Sequence, residues 1–445
     1  MEGILMGKKQ RSTLFDIITS FGTRIAVLFG TFLSSVLIAR ILGPEGQGII
    51  AAVFVLPNML YSLADLGIRQ SAAYFTGQKL YPIDTIHSAI LTLWVISSSL
   101  AVLVVGTYFY FSMGNDYSWL VLLFALASLP LKLFHGYYKG ILHGKNQIGA
   151  INISELLKAG IYFFGVVIVV WALGLGVPGG AFVQFLIPLG IAIYYLIRVN
   201  PYVNWKYEFD KSVAVKMLMK GFPYALALFL LTLNYKIDII ILRYFVPEAQ
   251  IGLYSVGSNI AELVWQLPMA IGLVLFAKGA TSRNSQATVR RAVKVLRVSF
   301  PIIIIICLFI IAFAPILIRL LYGEAYLGSA TVLQLLMVGV IAICISKVLH
   351  PDLAGRGYPL YAIKAFIVPL FINIGLNFIF IPAWGINGAA AASTISYVIG
   401  GITFAILYAR RENLMLKDVL FINKEDFEEI KAIIVKKYRN FRKKS

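Results

Sequence analysis

Arg24 stands about ten residues inside the first apolar run, roughly 15 Å deep at 1.5 Å per residue. Its neighbours three and four residues away are Ser20, Phe21, Val27 and Leu28, so no acid on its own helix can pair with it. A charge at such depth costs roughly 2.5–3.5 kcal/mol to insert. It must face a cavity or a partner on another helix, and Asp65 and Glu262 are the candidate partners. Asp16, Ser20, Arg24, Thr31 and Ser35 recur on one side of this run. Asn58, Ser62, Asp65 and Arg69 repeat the pattern in the second run, and Ser255, Asn259, Glu262 and Gln266 in the eighth. The seventh run carries Thr232, Lys236 and Asp238. Lys132 and Lys158 add cations in the fourth and fifth runs. Glu155 and Lys158, three apart, read equally well as a helical ion pair or as functional groups. Lys216 and Lys220 read as snorkelling side chains, and Lys347 and Lys364 near inner ends read the same way.

These groups belong to a chain of 445 residues that is 60% hydrophobic and only 13% charged. A soluble domain carries about 25% charged residues, so lipid is the solvent for most of this surface. Spans of roughly 20 apolar residues are needed to cross. About twelve are predicted, near 12–39, 46–68, 84–111, 117–138, 149–172, 178–198, 213–243, 250–277, 292–321, 328–350, 358–382 and 386–409. The first follows Lys8, Lys9 and Arg11 but is too long for a signal peptide, so it reads as a retained helix. Gly43-Pro44, Gly114-Asn115, Val246-Pro247 and Gly323 supply turn chemistry at the joints.

With the N-terminus inside, most loop lysines and arginines fall on the inner side, including Lys278, Arg283, Arg290, Arg291, Lys294 and Arg297. Only Arg40, Arg243 and Arg319 fall outside. Both termini are therefore expected in the cytosol. The net charge of +19 then faces anionic headgroups rather than nucleic acid. Tyr108 to Phe111, Trp119, Trp171, Tyr322 and Trp384 are expected at the outer interface. Cys307 and Cys344 lie in apolar runs and read as buried small side chains. Four histidines without a metal-site spacing, and no phosphate-loop motif, point to no metal and no cofactor enzyme. No outer loop is long enough to present catalytic groups, so an enzyme is not expected.

The halves resemble each other. Arg40 to Gln47 and Arg243 to Gln250 both read R-x-x-x-P-E-x-Q, offset 203. Leu142-His-Gly144-Lys145 matches Leu353-Ala-Gly355-Arg356, offset 211. Gly176-Val-Pro-Gly179 matches Gly385-Ile-Asn-Gly388, offset 209. Six spans per half make these parallel repeats, an organisation of transporters. The expected domains are a first six-helix lobe over 1–200, a cytosolic linker over 201–211, a second lobe over 212–410 and a basic tail over 411–445. In the tail Phe427, Ile430, Ile434, Tyr438 and Phe441 share one helical face, as in a helix lying on the inner leaflet. The first, second, seventh and eighth spans are repeat equivalents, and their polar faces are expected to line one cavity.

The segments Ile38 to Gly48, Tyr235 to Tyr254 and Asn259 to Gly272 resemble the polysaccharide transporter family of the multidrug/oligosaccharidyl-lipid/polysaccharide (MOP) exporter superfamily. The pattern departs at Leu275-Phe276-Ala277-Lys278, where a proline commonly follows the phenylalanine. The resemblance implies an all-α membrane fold of the MATE type with two pseudo-symmetric six-helix lobes. It implies a flippase for lipid-linked oligosaccharides in the cell membrane, serving O-antigen or similar surface polysaccharide biosynthesis. By position Arg24 would hold the lipid pyrophosphate. The cavity set expected is Arg24, Asn58, Asp65, Lys132, Lys158, Lys236, Asp238, Asn259, Glu262 and Gln266. Proton or sodium coupling would use Asp65, Asp238 or Glu262. Membrane lipids and polysaccharide assembly enzymes are the expected partners besides the substrate. The competing reading is a multidrug or metabolite antiporter of the same superfamily.

Overall fold

The computed structural model describes residues 13–423 and Asp426, except positions 115, 282–284 and 359. Side chains are described from Gly22 onward, except at 24, 25, 273, 277, 278, 280, 281 and 285 within helices. The described chain is all helix, turn and coil: α1 (Thr13–Ala64), α2 (Ile68–Gly77), α3 (Ile83–Ser112), α4 (Trp119–Gly144), α5 (Ile148–Gly165), α6 (Gly176–Val199), α7 (Lys211–Leu242), α8 (Glu248–Val264), α9 (Gln266–Thr281), α10 (Ser285–Tyr322), α11 (Gly328–Gly355), α12 (Tyr361–Arg411) and α13 (Leu416–Leu420). A π-helical segment, Val166–Ala172, prolongs α5. Among the described residues ten helices are long and apolar enough to cross a membrane. The protein is a multi-pass membrane protein. The amphipathic face drawn from Phe427 to Phe441 lies outside the described residues.

Two of the ten are far longer than one crossing. α1 has 52 residues and α12 has 51. At 1.5 Å per residue each approaches 80 Å, against a hydrocarbon core of about 30 Å. Each is broken once, at Gly43 (φ 68°) and Gly385 (φ 54°). These are the joints where the sequence divides the first span from the second and the eleventh from the twelfth, so ten continuous helices are consistent with about twelve crossings. The left-handed backbone there suits glycine, which has no Cβ to clash. Three helices outrun their predicted spans at the polar end. α4 continues to Gly144 and α11 to Gly355, while α10 starts at Ser285, placing Arg290 and Arg291 on a helix instead of a loop. Hydropathy marks where a helix leaves the apolar layer, and backbone hydrogen bonding carries it further.

The internal repeat is visible in the backbone. Gln147 N donates to the Leu142 carbonyl at 2.8 Å, and Tyr358 N, 211 residues on, donates to the Leu353 carbonyl at 2.8 Å. The left-handed residue inside the first loop is Asn146 (φ 55°), and inside the second it is Gly357 (φ 93°), again offset by 211. Both loops close their helix with a six-to-one C-cap. Gly176 and Gly385, offset by 209, share φ 54°.

The chain packs as two compact units that meet in sequence at Phe229 and Leu230. In the first, α4 packs against α1, α2, α3, α5 and α6; in the second, α11 packs against α8, α9, α10 and α12. The connection over 201–211 and the start of α7 belong to the first unit's packing. Asn204 donates from its backbone N and Nδ2 to Asp84 at 2.8 and 2.9 Å, Glu208 N donates to Ser88 Oγ at 2.8 Å, and Trp205 meets His87 edge-on at 4.8 Å. Val213, Ala214 and Met217 then enter the core beside Tyr195 and Val199. The unit division falls inside α7, and side-chain pairing fastens the polar segment before it to α3. Lys216 donates to Tyr81 Oη at 3.0 Å, and the Lys220 ammonium lies 3.6 Å from the Tyr74 ring centre.

Tyr110, Phe111, Trp119, Trp171 and Trp384 are exposed, as an interfacial belt requires. Phe109 and Tyr322 are buried instead; Tyr322 lies tilted against Tyr326 at 5.8 Å, in the core of the second unit. Cys307 and Cys344 are free and buried.

Candidate functional site

Glycines on one face of α4 create the site. A Cβ at Gly140 would strike the Arg69 carbonyl and Ala72, and one at Gly144 would strike Thr76 and the Gly77 backbone. The bare face therefore lets α2 lie directly on α4, as small residues do between membrane helices. One turn earlier, Gly136 leaves the space filled by the Tyr61 hydroxyl and the Asp65 carboxylate. This contact fixes Arg69 over the polar side of α4.

A cavity of about 290 Å³ opens inside the first unit. Its wall takes Asn58 and Tyr61 from α1, Arg69 from α2, Lys132, His135, Gly136 and Lys139 from α4, Ser154, Glu155 and Lys158 from α5, and Ile187, Pro188, Ile191 and Tyr195 from α6. Lys132 Nζ donates to Asn58 Oδ1 at 2.6 Å. Lys139 forms an ion pair with Glu155 at 2.6 Å, and Ser154 shares a hydrogen bond of 2.6 Å with the Tyr195 hydroxyl. Among the described residues Arg69 and Lys158 make no ion pair. Four basic side chains thus face the cavity with one carboxylate among them. Asp65 lies behind the wall, 4% exposed, with its Oδ1 unpaired among the described residues. Cations gathered on an apolar-backed surface attract an anion far more strongly than in water.

The second unit holds two further groups from the expected set. Lys236 pairs with Glu262 at 2.5 Å, both about a quarter to a third exposed. Asp238 is buried and accepts hydrogen bonds from the Tyr254 hydroxyl, from Ser393 Oγ at 3.0 Å and from the Ile239 N at 3.0 Å. Asn373 Nδ2 donates to Ser393 Oγ at 3.2 Å, Asn377 Nδ2 donates to Asn373 Oδ1 at 2.6 Å, and Asn234 Nδ2 donates to Ser396 Oγ at 3.0 Å. The result is a buried polar cluster of one carboxylate with amides and hydroxyls.

Of the expected residues, Asn58, Lys132 and Lys158 share the cavity and Asp65 stands behind it. Lys236 and Glu262 pair, Asp238 centres its own cluster, and Asn259 and Gln266 are half-buried on α8 and α9. The Arg24 side chain lies outside the described residues. Of the two readings of Glu155 and Lys158, the structure shows Glu155 paired with Lys139 between helices and Lys158 lining the open cavity. The sequence pattern put Arg69 on the polar stripe of the second span with Asn58 and Asp65, but gave Lys139, His135, Ser154 and Tyr195 no place in the cavity. The missed signal is the run Gly136, Gly140, Gly144, which marks the helix that α2 must approach.

A family model described as polysaccharide biosynthesis protein matches residues 14–276, more than half of the chain. The probable low-salt glycan biosynthesis flippase Agl15 of Haloferax volcanii is 21% identical over 408 residues, covering 86% of this chain and 81% of that protein. Among solved structures, an inward-facing multidrug resistance MATE family transporter of the MOP superfamily superimposes with a TM-score of 0.71 at 18% identity, over 89% of this chain and 98% of the other. The lipid II flippase MurJ, in an inward closed conformation, gives 0.68 at 18% identity, over 92% and 89%. The fold is that of the MOP superfamily.

Proposed function

Because the chain belongs to the polysaccharide biosynthesis protein family, we propose that it is a flippase translocating a lipid-linked oligosaccharide across the cytoplasmic membrane for surface polysaccharide synthesis. The observation that carries this reading is the cationic cavity of the first unit. Arg69, Lys132, Lys139 and Lys158 against Glu155 and the underlying Asp65 leave a formal charge of 4 − 2 = +2. A diphosphate diester carries two negative charges, so the wall matches the head of a lipid diphosphate. Arg69 can grip two phosphate oxygens at once, and Lys158 supplies a mobile point charge. The Haloferax volcanii relative, named a probable low-salt glycan biosynthesis flippase, supports the same substrate class. The role is transport without bond chemistry. Alternating access of the cavity fits the parallel repeat, and the loop charges favour cytosolic termini.

An organic-cation antiporter is disfavoured by the same wall, which repels cations. Coupling to sodium or protons is assigned to the Asp238 cluster, where a buried carboxylate sits among neutral oxygens. The test uses full-length protein in liposomes with a fluorescent lipid-diphosphate oligosaccharide, measuring its appearance in the opposite leaflet. Arg69→Ala with Lys158→Ala should cut the rate at least about tenfold while the protein stays folded, each lost charge-assisted contact being worth roughly 1.5–3 kcal/mol. Undiminished flipping by the double variant would refute the cavity's role.

A further inference from the structure

Lys347 stands about two turns before the end of α11, at a depth from which a lysine would be expected to snorkel toward headgroups, yet it turns to aromatic rings. Its ammonium lies 4.5 Å from the ring centre of Tyr235 and 4.6 Å from that of Trp265. Those two rings are 4.8 Å apart, and Tyr397 closes the group at 5.8 Å from Tyr235 and 6.0 Å from Trp265. Among the described residues Lys347 makes no ion pair; ring faces are what hold its charge. Trp265 is 6% exposed, and its Nε1 is unpaired among the described residues. Tyr235 and Lys347 are half-buried, so the group is reachable from outside the core.

Two aromatic rings hold the ammonium and a third packs against both, a grouping of the kind that recognises quaternary ammonium groups. Here the chain supplies the cation itself. The repeat shows what this replaces. Lys347 is offset by 211 from Gly136 and Tyr397 by 209 from Pro188, the offsets found for the loops that flank them. Gly136 and Pro188 both line the cavity of the first unit. The two positions that line the cavity wall in the first unit thus carry a lysine and an aromatic ring in the second. The local charge is balanced as well: Lys347 and Lys236 offset Glu262 and Asp238, 2 − 2 = 0, and without Lys347 the balance would be −1.

We propose that Tyr235, Trp265 and Tyr397 form an aromatic cage for an organic cation, that Lys347 occupies it as a tethered ligand, and that Lys347 is thereby a specificity residue that excludes small quaternary ammonium compounds. The inference stands apart from the flippase reading, since it concerns cation binding in the second unit and its test does not use glycan export.

The test is binding of tetramethylammonium to purified full-length protein, followed by calorimetry at constant ionic strength. Lys347→Ala removes the tethered charge and opens space for the probe. It should bind at least about tenfold more tightly than wild type, and Lys347→Arg, which refills the cage with a cation, should not. Adding Trp265→Leu to Lys347→Ala should abolish the gain. Equal binding by wild type and Lys347→Ala, or a gain that survives Trp265→Leu, overturns the proposal. Lys347→Ser repeats the measurement if the alanine variant does not stay monodisperse. If neither folds, Lys347 is a structural cation and the proposal is likewise overturned.

Discussion

The Lys139 ammonium lies 2.6 Å from a Glu155 carboxylate oxygen, tying α4 to α5 at the edge of the first unit's cavity. The pair is partly exposed, 20% and 37%, so its contribution to stability is at most about 1 kcal/mol. Its larger effect is on the field inside the cavity, where Glu155 is the acid in the wall. Glu155→Gln should therefore tighten binding of inorganic pyrophosphate by about tenfold, the equivalent of one nearby charge at intermediate dielectric. Calorimetry on purified protein measures it, and the gain should shrink as salt rises. Unchanged affinity would mean that the cavity is not the anion site.

The contact between α2 and α4 rests on missing side chains. Gly140→Ala would drive a methyl into the Arg69 carbonyl and Ala72. Overpacking of this kind costs about 1–3 kcal/mol, and it should appear as a lower thermal midpoint in detergent. Gly160→Ala on α5 is the matched control, because nothing lies within 4 Å of its would-be Cβ. That variant should be neutral or more stable by up to about 1 kcal/mol. Equal behaviour of the two variants would remove the close approach as the organiser of the site.

Much of this architecture was legible because the bilayer imposes it. Runs of apolar residues gave the helices, and Gly43 and Gly385 gave their breaks. The repeat offsets predicted paired loops, and the hydrogen bonds closing Leu142 to Gln147 and Leu353 to Tyr358 agree to the ångström. Pairing between helices was not legible. Glu155 had a lysine three residues away on its own helix and took Lys139 from another, because inter-helix distance depends on glycines that carry no charge signal. Lys347 looked like an ordinary interfacial lysine, since Tyr235, Trp265 and Tyr397 are remote in sequence. Arg24, the foremost residue of the sequence reading, has its side chain outside the described residues, and the cations brought together in the first unit's cavity are Arg69, Lys132, Lys139 and Lys158.

Asp238 gives the coupling proposal its sharpest form. Its carboxylate is 1% exposed and makes no ion pair among the described residues. Tyr254, Ser393 and the Ile239 N supply neutral donors, which lessen the desolvation cost without cancelling the charge. A bound sodium ion or a proton would cancel it, and the amide and hydroxyl oxygens of Asn373, Asn377, Ser393 and Ser396 are hard donors that suit sodium. If sodium is the ion, wild-type protein should unfold at a higher temperature in sodium than in potassium at equal ionic strength. A site at 100 times its dissociation constant would contribute about 2.7 kcal/mol. Asp238→Asn keeps the shape and removes the charge, so it should abolish the sodium-dependent rise and make flipping in liposomes indifferent to a sodium gradient. If protons are the ion instead, potassium and sodium should act alike, and the variant should lose the response to a pH gradient. A merely structural Asp238 predicts a different pattern: a lower midpoint in both salts, with the gradient dependence of the remaining flipping unchanged. That pattern would remove Asp238 from the coupling mechanism.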